Sequence, residues 1–470
     1  MKFKILIILS VFIFSQSLAQ INGAKSLVNL IPAPLGSLVP DVVKDSNGVV
    51  HVVYAKNQNA YYIRSTDNGA TFSAPVQVNS SGTVEFNMGE RGPKLSVGID
   101  GVIHVVWMDH WSSGVNVYAR YSRSTNGGAT FENLKSVSAT SGVDGVTVAA
   151  DGNNHVCVFW HTMVPVQTQV PEATWLHKSM STDNGVTFST DTNVVITNHN
   201  GLACSMCMTR ARFGKDGNVY LAFRSAQDSI RDFFVLKGSP VANNFTAIRV
   251  NNDNWKINYC PMVGPSLEVG NAGRQFCAFM SNSHVYWAVS DTGATAFMQH
   301  VATPLNEANE IFPSALENHA GQVLFLWQVG PMSVYDSATV KWAVYNANGT
   351  FTGLQGTAGR TFSGTKATAF VGTDDNFYII VNADILLSLP TYESNSNISV
   401  FPNPANNQIS ITGIAGFSKI KLLNASGEIV LEKETSSNTS IDVSRFAQGE
   451  YTIVIENNKG MMFKKVIVVK

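Results

Sequence analysis

The chain has 470 residues, 44% of them hydrophobic and only 14% charged, with a formal net charge of -1. That length exceeds one small domain, and that composition supplies a sizeable core. So neutral a balance excludes nucleic-acid binding, or attachment to an anionic membrane, by bulk charge.

The chain opens Met1-Lys2-Phe3-Lys4, continues as an apolar run over 5–14, and reaches Ser17-Leu18-Ala19. A basic start, a short apolar stretch and a small-residue cleavage site predict a signal peptide over 1–19. No later apolar run reaches the roughly 20 residues that a transmembrane helix needs. The predicted mature protein is therefore exported without a transmembrane anchor. Its five cysteines, Cys157, Cys204, Cys207, Cys260 and Cys277, are an odd number. In an exported protein that leaves at least one unpaired or shared.

Residues 20–390 repeat one pattern: a short strand, a polar turn with Gly, then an apolar strand ending in an aromatic or aliphatic residue. The copies are 41–45 with 49–54, 94–100 with 102–107, 145–150 with 155–160, and 209–213 with 218–223. Three weaker ones are 264–269 with 275–280, 313–317 with 322–327, and 367–372 with 376–381. Alternation and β-branched residues predict strands throughout, without a helical period. Seven inner pairs spaced about 50 to 60 residues apart predict an all-β propeller, whose radial closure leaves few sheet edges. The last repeat lacks outer strands, and the segment 26–31 is placed to supply one and close the ring.

A second repeat lies inside the first. Ser65-Thr66-Asp67-Asn68-Gly69-Ala70-Thr71-Phe72 returns as Ser124-Thr125-Asn126-Gly127-Gly128-Ala129-Thr130-Phe131 and as Ser181-Thr182-Asp183-Asn184-Gly185-Val186-Thr187-Phe188. The Asp or Asn can bond backbone further on, and Gly accepts the positive φ that closes the turn. Asp67, Asn126 and Asp183 therefore read as structural. The phrase resembles the Asp box, S-x-[DN]-x-G-x-T-F, of sialidase-like β-propellers, which have six blades against the seven pairs counted here. The resemblance places the box between the third and fourth strands of a blade, on one face of the disc. Chemistry is then expected on the opposite face.

That opposite face is predicted to receive Arg91, Asp109, His110, Trp111, His161, Arg224, Arg231, Tyr259 and Glu310. Sialidases clamp a substrate carboxylate with three arginines, whose guanidinium fork matches it bidentately. They use a tyrosine nucleophile helped by a glutamate, with an aspartate as acid/base. The resemblance thus implies Arg91, Arg224 and Arg231 around the carboxylate, with Tyr259, Glu310 and Asp109 as catalytic groups. His110, Trp111 and His161 are expected to contact substrate. This chain departs from the family at its start: Leu30-Ile31-Pro32-Ala33-Pro34 replaces the family's Arg-Ile-Pro, and no arginine precedes Arg64. One clamp arginine is missing, so exo-sialidase activity stays open.

The same face receives Cys204-Ser205-Met206-Cys207-Met208 and Trp255-Lys256-Ile257-Asn258-Tyr259-Cys260-Pro261-Met262. With Ile230-Arg231-Asp232, these segments also resemble a subgroup of secreted sialidase-fold proteins without an assigned activity. An exported setting favours a disulfide, either Cys204 with Cys207 or one of them with Cys260. The alternative is a soft-metal site for copper(I) or zinc, with no other cofactor expected. Cys157 and Cys277 sit in apolar strands and read as buried small hydrophobes.

The composition changes near Thr391. A polar linker over 391–397 leads to alternating strands over 398–470, predicted as a small β-sandwich. Its Val400-Phe401-Pro402-Asn403-Pro404 entry, Gly449-Glu450-Tyr451 turn and Lys464-Lys465-Val466-Ile467-Val468 finish resemble the C-terminal sorting domain of the type IX secretion system of Bacteroidetes. The resemblance implies handling by that machinery, then release or attachment at the outer cell surface. The sequence as a whole points to an exported propeller that hydrolyses or binds glycans. The alternatives are a non-catalytic scaffold and a metal-dependent activity at the cysteines.

Overall fold

A computed structural model describes residues 27–33, 38–86, 90–111, 116–162, 173–330, 338–361, 366–381, 398–414, 416–424, 429–457 and 460–469. The expected signal peptide over 1–19 and linker over 391–397 lie outside the described residues. The chain divides into two compact units, Met1–Asn382 and Ala383–Lys470.

In the first unit the strands form seven sheets. Blade 1 contains Leu38–Lys44, Val50–Lys56, Asn59–Ser65 and Val76–Gln77. Blades 2 to 6 start at Lys94–Val97, Val143–Ala150, Arg210–Phe213, Ser266–Val269 and Glu310–Glu317, respectively. Blade 7 contains Thr368–Val371 and Phe377–Val381. The first strands of successive blades touch in order, and that of blade 7 touches that of blade 1. This contact closes a ring, so the fold is a seven-bladed β-propeller. Val28–Pro32 pairs in parallel with Phe377–Val381. The segment expected to close the ring therefore does so, supplying the third strand of blade 7.

The second strand of each blade lies between neighbouring blades and is buried on both sides. Ile103–Met108 and Gln275–Ser281 are buried along their whole length. This explains their continuous apolar runs where a half-buried strand would alternate. Trp107, Trp160, Trp287 and Trp327 fill the inter-blade layers and are no more than 1% exposed.

The three Asp boxes lie between third and fourth strands, and their chemistry repeats. In the first, Ser65 Oγ donates to Asp67 at 2.6 Å and accepts Gly69 N–H at 2.8 Å, while Asp67 accepts Thr71 N–H at 2.9 Å. Ser124, Asn126, Gly128 and Thr130 reproduce these contacts, as do Ser181, Asp183, Gly185 and Thr187. Each box packs on the preceding blade. Phe131 stacks edge-on against Tyr62 at 5.4 Å, and Phe188 against Tyr121 at 4.7 Å. A Cβ on Gly128 would lie 2.0 Å from Tyr62, and one on Gly69 would lie 2.3 Å from Ile31 of the closing strand. Ile31 thus fills the place of the tyrosine where the chain closes on itself.

The structure adds a fourth, degenerate box in blade 5. Asp291 accepts both the backbone N–H (2.6 Å) and the hydroxyl (2.5 Å) of Thr295. Here the serine sits directly before the aspartate and the phenylalanine lies one residue later than in the intact phrase, so a strict pattern misses it.

The second unit is a β-sandwich. Ser399–Phe401, Gln408–Thr412 and Thr439–Asp442 form one sheet. Ile429–Thr435, Ser418–Leu423, Gly449–Asn457 and Gly460–Val468 form the other. Alternate residues Ile409, Ile411, Ile420, Leu422, Ile453 and Ile455 fill its core.

Candidate functional site

The Asp boxes share their face with the turns between first and second strands. Asn68 donates to Thr373 Oγ1 at 3.0 Å, and Asn184 to Asp100 at 2.6 Å, each reaching the neighbouring blade's turn. Arg64 Nη1 donates to Gly127 O at 2.9 Å, which puts Arg64 on this side as well. Second-to-third-strand loops and blade-to-blade connections emerge on the other face. The cysteine segments and the candidate sialidase residues all belong to these connections or border them.

Two connections meet there. Leu202–Cys204 pairs with the third strand of blade 3, Ala173 facing Cys204. An isolated bridge ties Ala203 to Ser225 at the end of blade 4's second strand. The second connection is fixed by Ile230-Arg231-Asp232. Arg231 N–H donates to Trp255 O at 2.8 Å, and Asp232 accepts the N–H groups of Asn254 (3.1 Å) and Trp255 (3.4 Å). Arg249 and Asn251 complete the shell of the Asp232 carboxylate.

This scaffold brings Cys204, Cys207 and Cys260 together. Cys207 Sγ lies 3.6 Å from Cys204 Sγ and 3.1 Å from Cys260 Sγ, and all three sulfurs lie within 4.8 Å of one another. Each cysteine is buried. These separations are well beyond the roughly 2.05 Å of a disulfide. All five cysteines are free thiols, which corrects the expected disulfide. Met206 and Met262 pack against the three sulfurs, both in left-handed backbone, with φ of 62° and 53°. Met262 N–H points to Cys260 Sγ at 3.4 Å.

Basic side chains act on this cluster through their charge. Arg231 acts on Cys204, Arg224 and His161 on Cys207, and Arg91 on Cys260. Burial opposes ionisation of Cys207, yet hydrogen bonds with the Cys204 and Cys260 thiols, aided by Arg224 and His161, hold it well below the ordinary thiol range. Burial and the hydrogen bond with Cys207 push Cys204 up. Burial and bonds within the trio likewise raise Cys260.

The guanidinium groups are also committed locally. Arg91 forms a bidentate pair with Asp144, at 2.8 and 2.5 Å. Arg224 donates to the carbonyls of Arg231 (3.0 Å), Val263 (3.0 Å) and Met280 (3.1 Å) and lies 4.2 Å over the Phe233 ring. Arg231 Nε reaches Tyr259 O at 3.4 Å. His161 Nε2 lies 2.6 Å from Cys207 O. Gly145, at φ +65°, permits that approach, since a Cβ there would meet the same Nε2 at 2.6 Å.

The remaining candidates divide. Asp109 is paired with Arg120 at 2.8 Å and accepts Tyr118 N–H. His110 pairs with Glu85 at 3.1 Å and stacks on Phe86, while Trp111 beside it is exposed. Glu310 is wholly buried; it accepts Val285 N–H, Glu307 N–H and the Thr303 hydroxyl. Tyr259 is 60% exposed. It lines a cavity of about 340 Å³ together with Glu310, Trp255, Cys260, Met262, Ser283 and Asn309, so the structure brings the predicted Tyr259 and Glu310 to one cavity. Sequence reasoning missed Asp144, Glu85 and Arg120, the carboxylates and cation that neutralise its chosen residues. Only the Asp-Gly pair at 144–145, a bulge signal, marked one of them in advance.

Residues 399–469 match the family described as the secretion system C-terminal sorting domain. The C-terminal unit carries such a sorting domain. A sorting domain of this kind serves secretion, and no helix among the described residues is long and apolar enough to cross a membrane. No curated protein matches the chain significantly. Solved structures similar to it include an α-L-arabinofuranosidase of Fusarium graminearum in complex with an iminosugar inhibitor. That pair shares 12% identity, 68% coverage of this chain, 97% of the other and a TM-score of 0.47. An α-L-arabinanase of Penicillium chrysogenum complexed with arabinobiose shares 11% identity, 67% and 95% coverage, and a TM-score of 0.43. A Hadza microbial sialidase shares 15% identity, 72% and 76% coverage, and a TM-score of 0.43.

Proposed function

We propose that this is a propeller exported by the type IX system that binds glycans at the outer cell surface without sialidase-type hydrolysis. The observation that carries the reading is the cavity beside Tyr259. Its volume, about 340 Å³, lies within the range of small-ligand sites, roughly 300–1,000 Å³. Trp255 and the exposed Tyr259 offer aromatic faces to the apolar side of a sugar ring, and Ser283 and Asn309 offer hydrogen bonds to hydroxyls.

Hydrolysis by the sialidase route is less well supported. A carboxylate clamp needs guanidinium forks aimed at substrate, and Arg91 and Arg224 spend theirs on Asp144 and on three carbonyls. Glu310, expected to assist Tyr259, lines the same cavity, but its carboxylate is buried and accepts the N–H groups of Val285 and Glu307 and the Thr303 hydroxyl. Asp109 is neutralised by Arg120.

Titration calorimetry of the propeller with neutral and acidic oligosaccharides tests the reading. Binding that weakens about tenfold in Tyr259→Ala, the loss of about 1.4 kcal/mol of ring contact, supports it. No binding to any oligosaccharide overturns it. Turnover of aryl glycosides that disappears in Tyr259→Phe would restore the hydrolytic reading.

A further inference from the structure

We propose that Cys204, Cys207 and Cys260 form a binding site for one thiophilic d¹⁰ metal ion, copper(I). The inference is independent of the glycan reading and starts from the sulfur positions. Metal–thiolate bonds of about 2.3 Å place the sulfurs around a single ion about 4 Å apart. The observed separations, 3.1 and 3.6 Å with the third below 4.8 Å, need only small adjustments.

The donor set selects the ion. His161, the imidazole acting on Cys207, has its Nε2 engaged by a carbonyl. The site is therefore sulfur only, with the Met206 and Met262 thioethers packed against it. Thiolate and thioether donors select copper(I) among first-row ions, whereas a structural zinc site requires four protein ligands.

Charge balance gives a second, separate argument. Three thiolates around a univalent ion carry two net negative charges in a buried place. Without compensation that is costly. Arginine is the cation suited to burial, because it stays protonated. Arg231, whose Nε reaches the carbonyl of Tyr259 beside Cys260, and Arg224, which donates to the carbonyl of Arg231, are the nearby buried cations, whereas Arg91 is neutralised by Asp144. An N–H group directed at a cysteine sulfur, as Met262 N–H is toward Cys260, orients and stabilises the ligand in the same way. Entry is available through the cavity, whose wall includes Cys260 and Met262. Binding would release to solvent one proton for every thiol converted to thiolate.

The test uses the reduced, metal-stripped full chain under anaerobic conditions. Copper(I) is supplied in acetonitrile against a chromogenic copper(I) chelator, with zinc chloride in a parallel arm. The expected result is one copper(I) retained per chain, an ultraviolet sulfur-to-copper charge-transfer band and a raised unfolding temperature. Cys207→Ser should lower copper affinity at least a hundredfold, whereas Cys277→Ser, a buried thiol outside the cluster, should leave it unchanged. Circular dichroism establishes that both variants are folded. Should Cys207→Ser fail to fold, Cys260→Ser takes its place. Failure of the reduced wild type to retain copper(I), equal retention by the cluster variants, or retention of zinc alone would each overturn the proposal.

Discussion

Cys207 Sγ lies 3.1 Å from Cys260 Sγ across 53 residues of chain, on connections entering different blades. Two features hold the pair in place. The Leu202–Cys204 strand is paired to blade 3, and Asp232 caps the backbone of Asn254 and Trp255.

The Asp-box glycines hold the blades together. Gly128→Ala places a methyl 2.0 Å from Tyr62 at φ +85°. Left-handed backbone and overpacking together are expected to cost roughly 2–4 kcal/mol. Gly217→Ala has a similar φ, +75°, with nothing within 4 Å of the new atom. It should cost only about 1 kcal/mol. Chemical denaturation of the two variants separates backbone strain from blade packing.

Ring closure rests on a strand far from its partner in sequence. Ile31 is 5% exposed and lies where Tyr62 lies in blade 1. Ile31→Ala should destabilise the propeller by about 2–5 kcal/mol. Hydrogen exchange should show the loss spreading through Phe377–Val381, its parallel partner.

Arg91 and Asp144 are both buried and paired. Asp144→Ala leaves a guanidinium without that carboxylate in the interior and should cost about 3–5 kcal/mol. A substrate-facing Arg91 would instead tolerate the change, with only binding affected. Thermal unfolding and oligosaccharide titration on one sample distinguish the two.

Two acid windows are expected. Burial holds His104, bonded to Tyr121 at 2.7 Å, down to about 4. The unfolded imidazole titrates near 6.5, so the unfolded chain takes up the proton first. Stability should fall as pH drops from about 6.5 toward 4. Asp183 is lowered to about 2 by hydrogen bonds from Ser181 and Thr187. Its contribution is complete above about pH 4 and lost as pH falls through 2. Asp183→Asn should narrow this second window, to which Asp216, also held at about 2, still contributes, and keep the turn, because Asn126 already makes the equivalent contacts. Denaturation midpoints measured across pH 2–8 check both.

Much of the architecture was legible in the chain because its signals are local. Alternation, turn glycines and the serine–aspartate–threonine geometry all act within eight residues. The seven strand pairs and the parallel closure by Val28–Pro32 follow from them. The candidate residues lie on or beside second-to-third-strand loops and blade-to-blade connections. The partners of those residues were not legible. Asp144 lies 53 residues from Arg91, and the bond exists only because of inter-blade packing. A surface arginine and a buried, neutralised one look alike in sequence. The cysteines differ from expectation for a related reason: an exported setting favours disulfides on average, whereas the sulfurs here meet at 3.1 and 3.6 Å through contacts between loops of different blades.

Arg91 and Arg224 are committed to the protein's own interior and not to a substrate carboxylate. Titration calorimetry of the folded chain with sialic acid tests this most directly. The prediction is no sialic acid binding that depends on these arginines. Saturable binding by the wild type that is lost in a folded Arg224→Lys variant would contradict it.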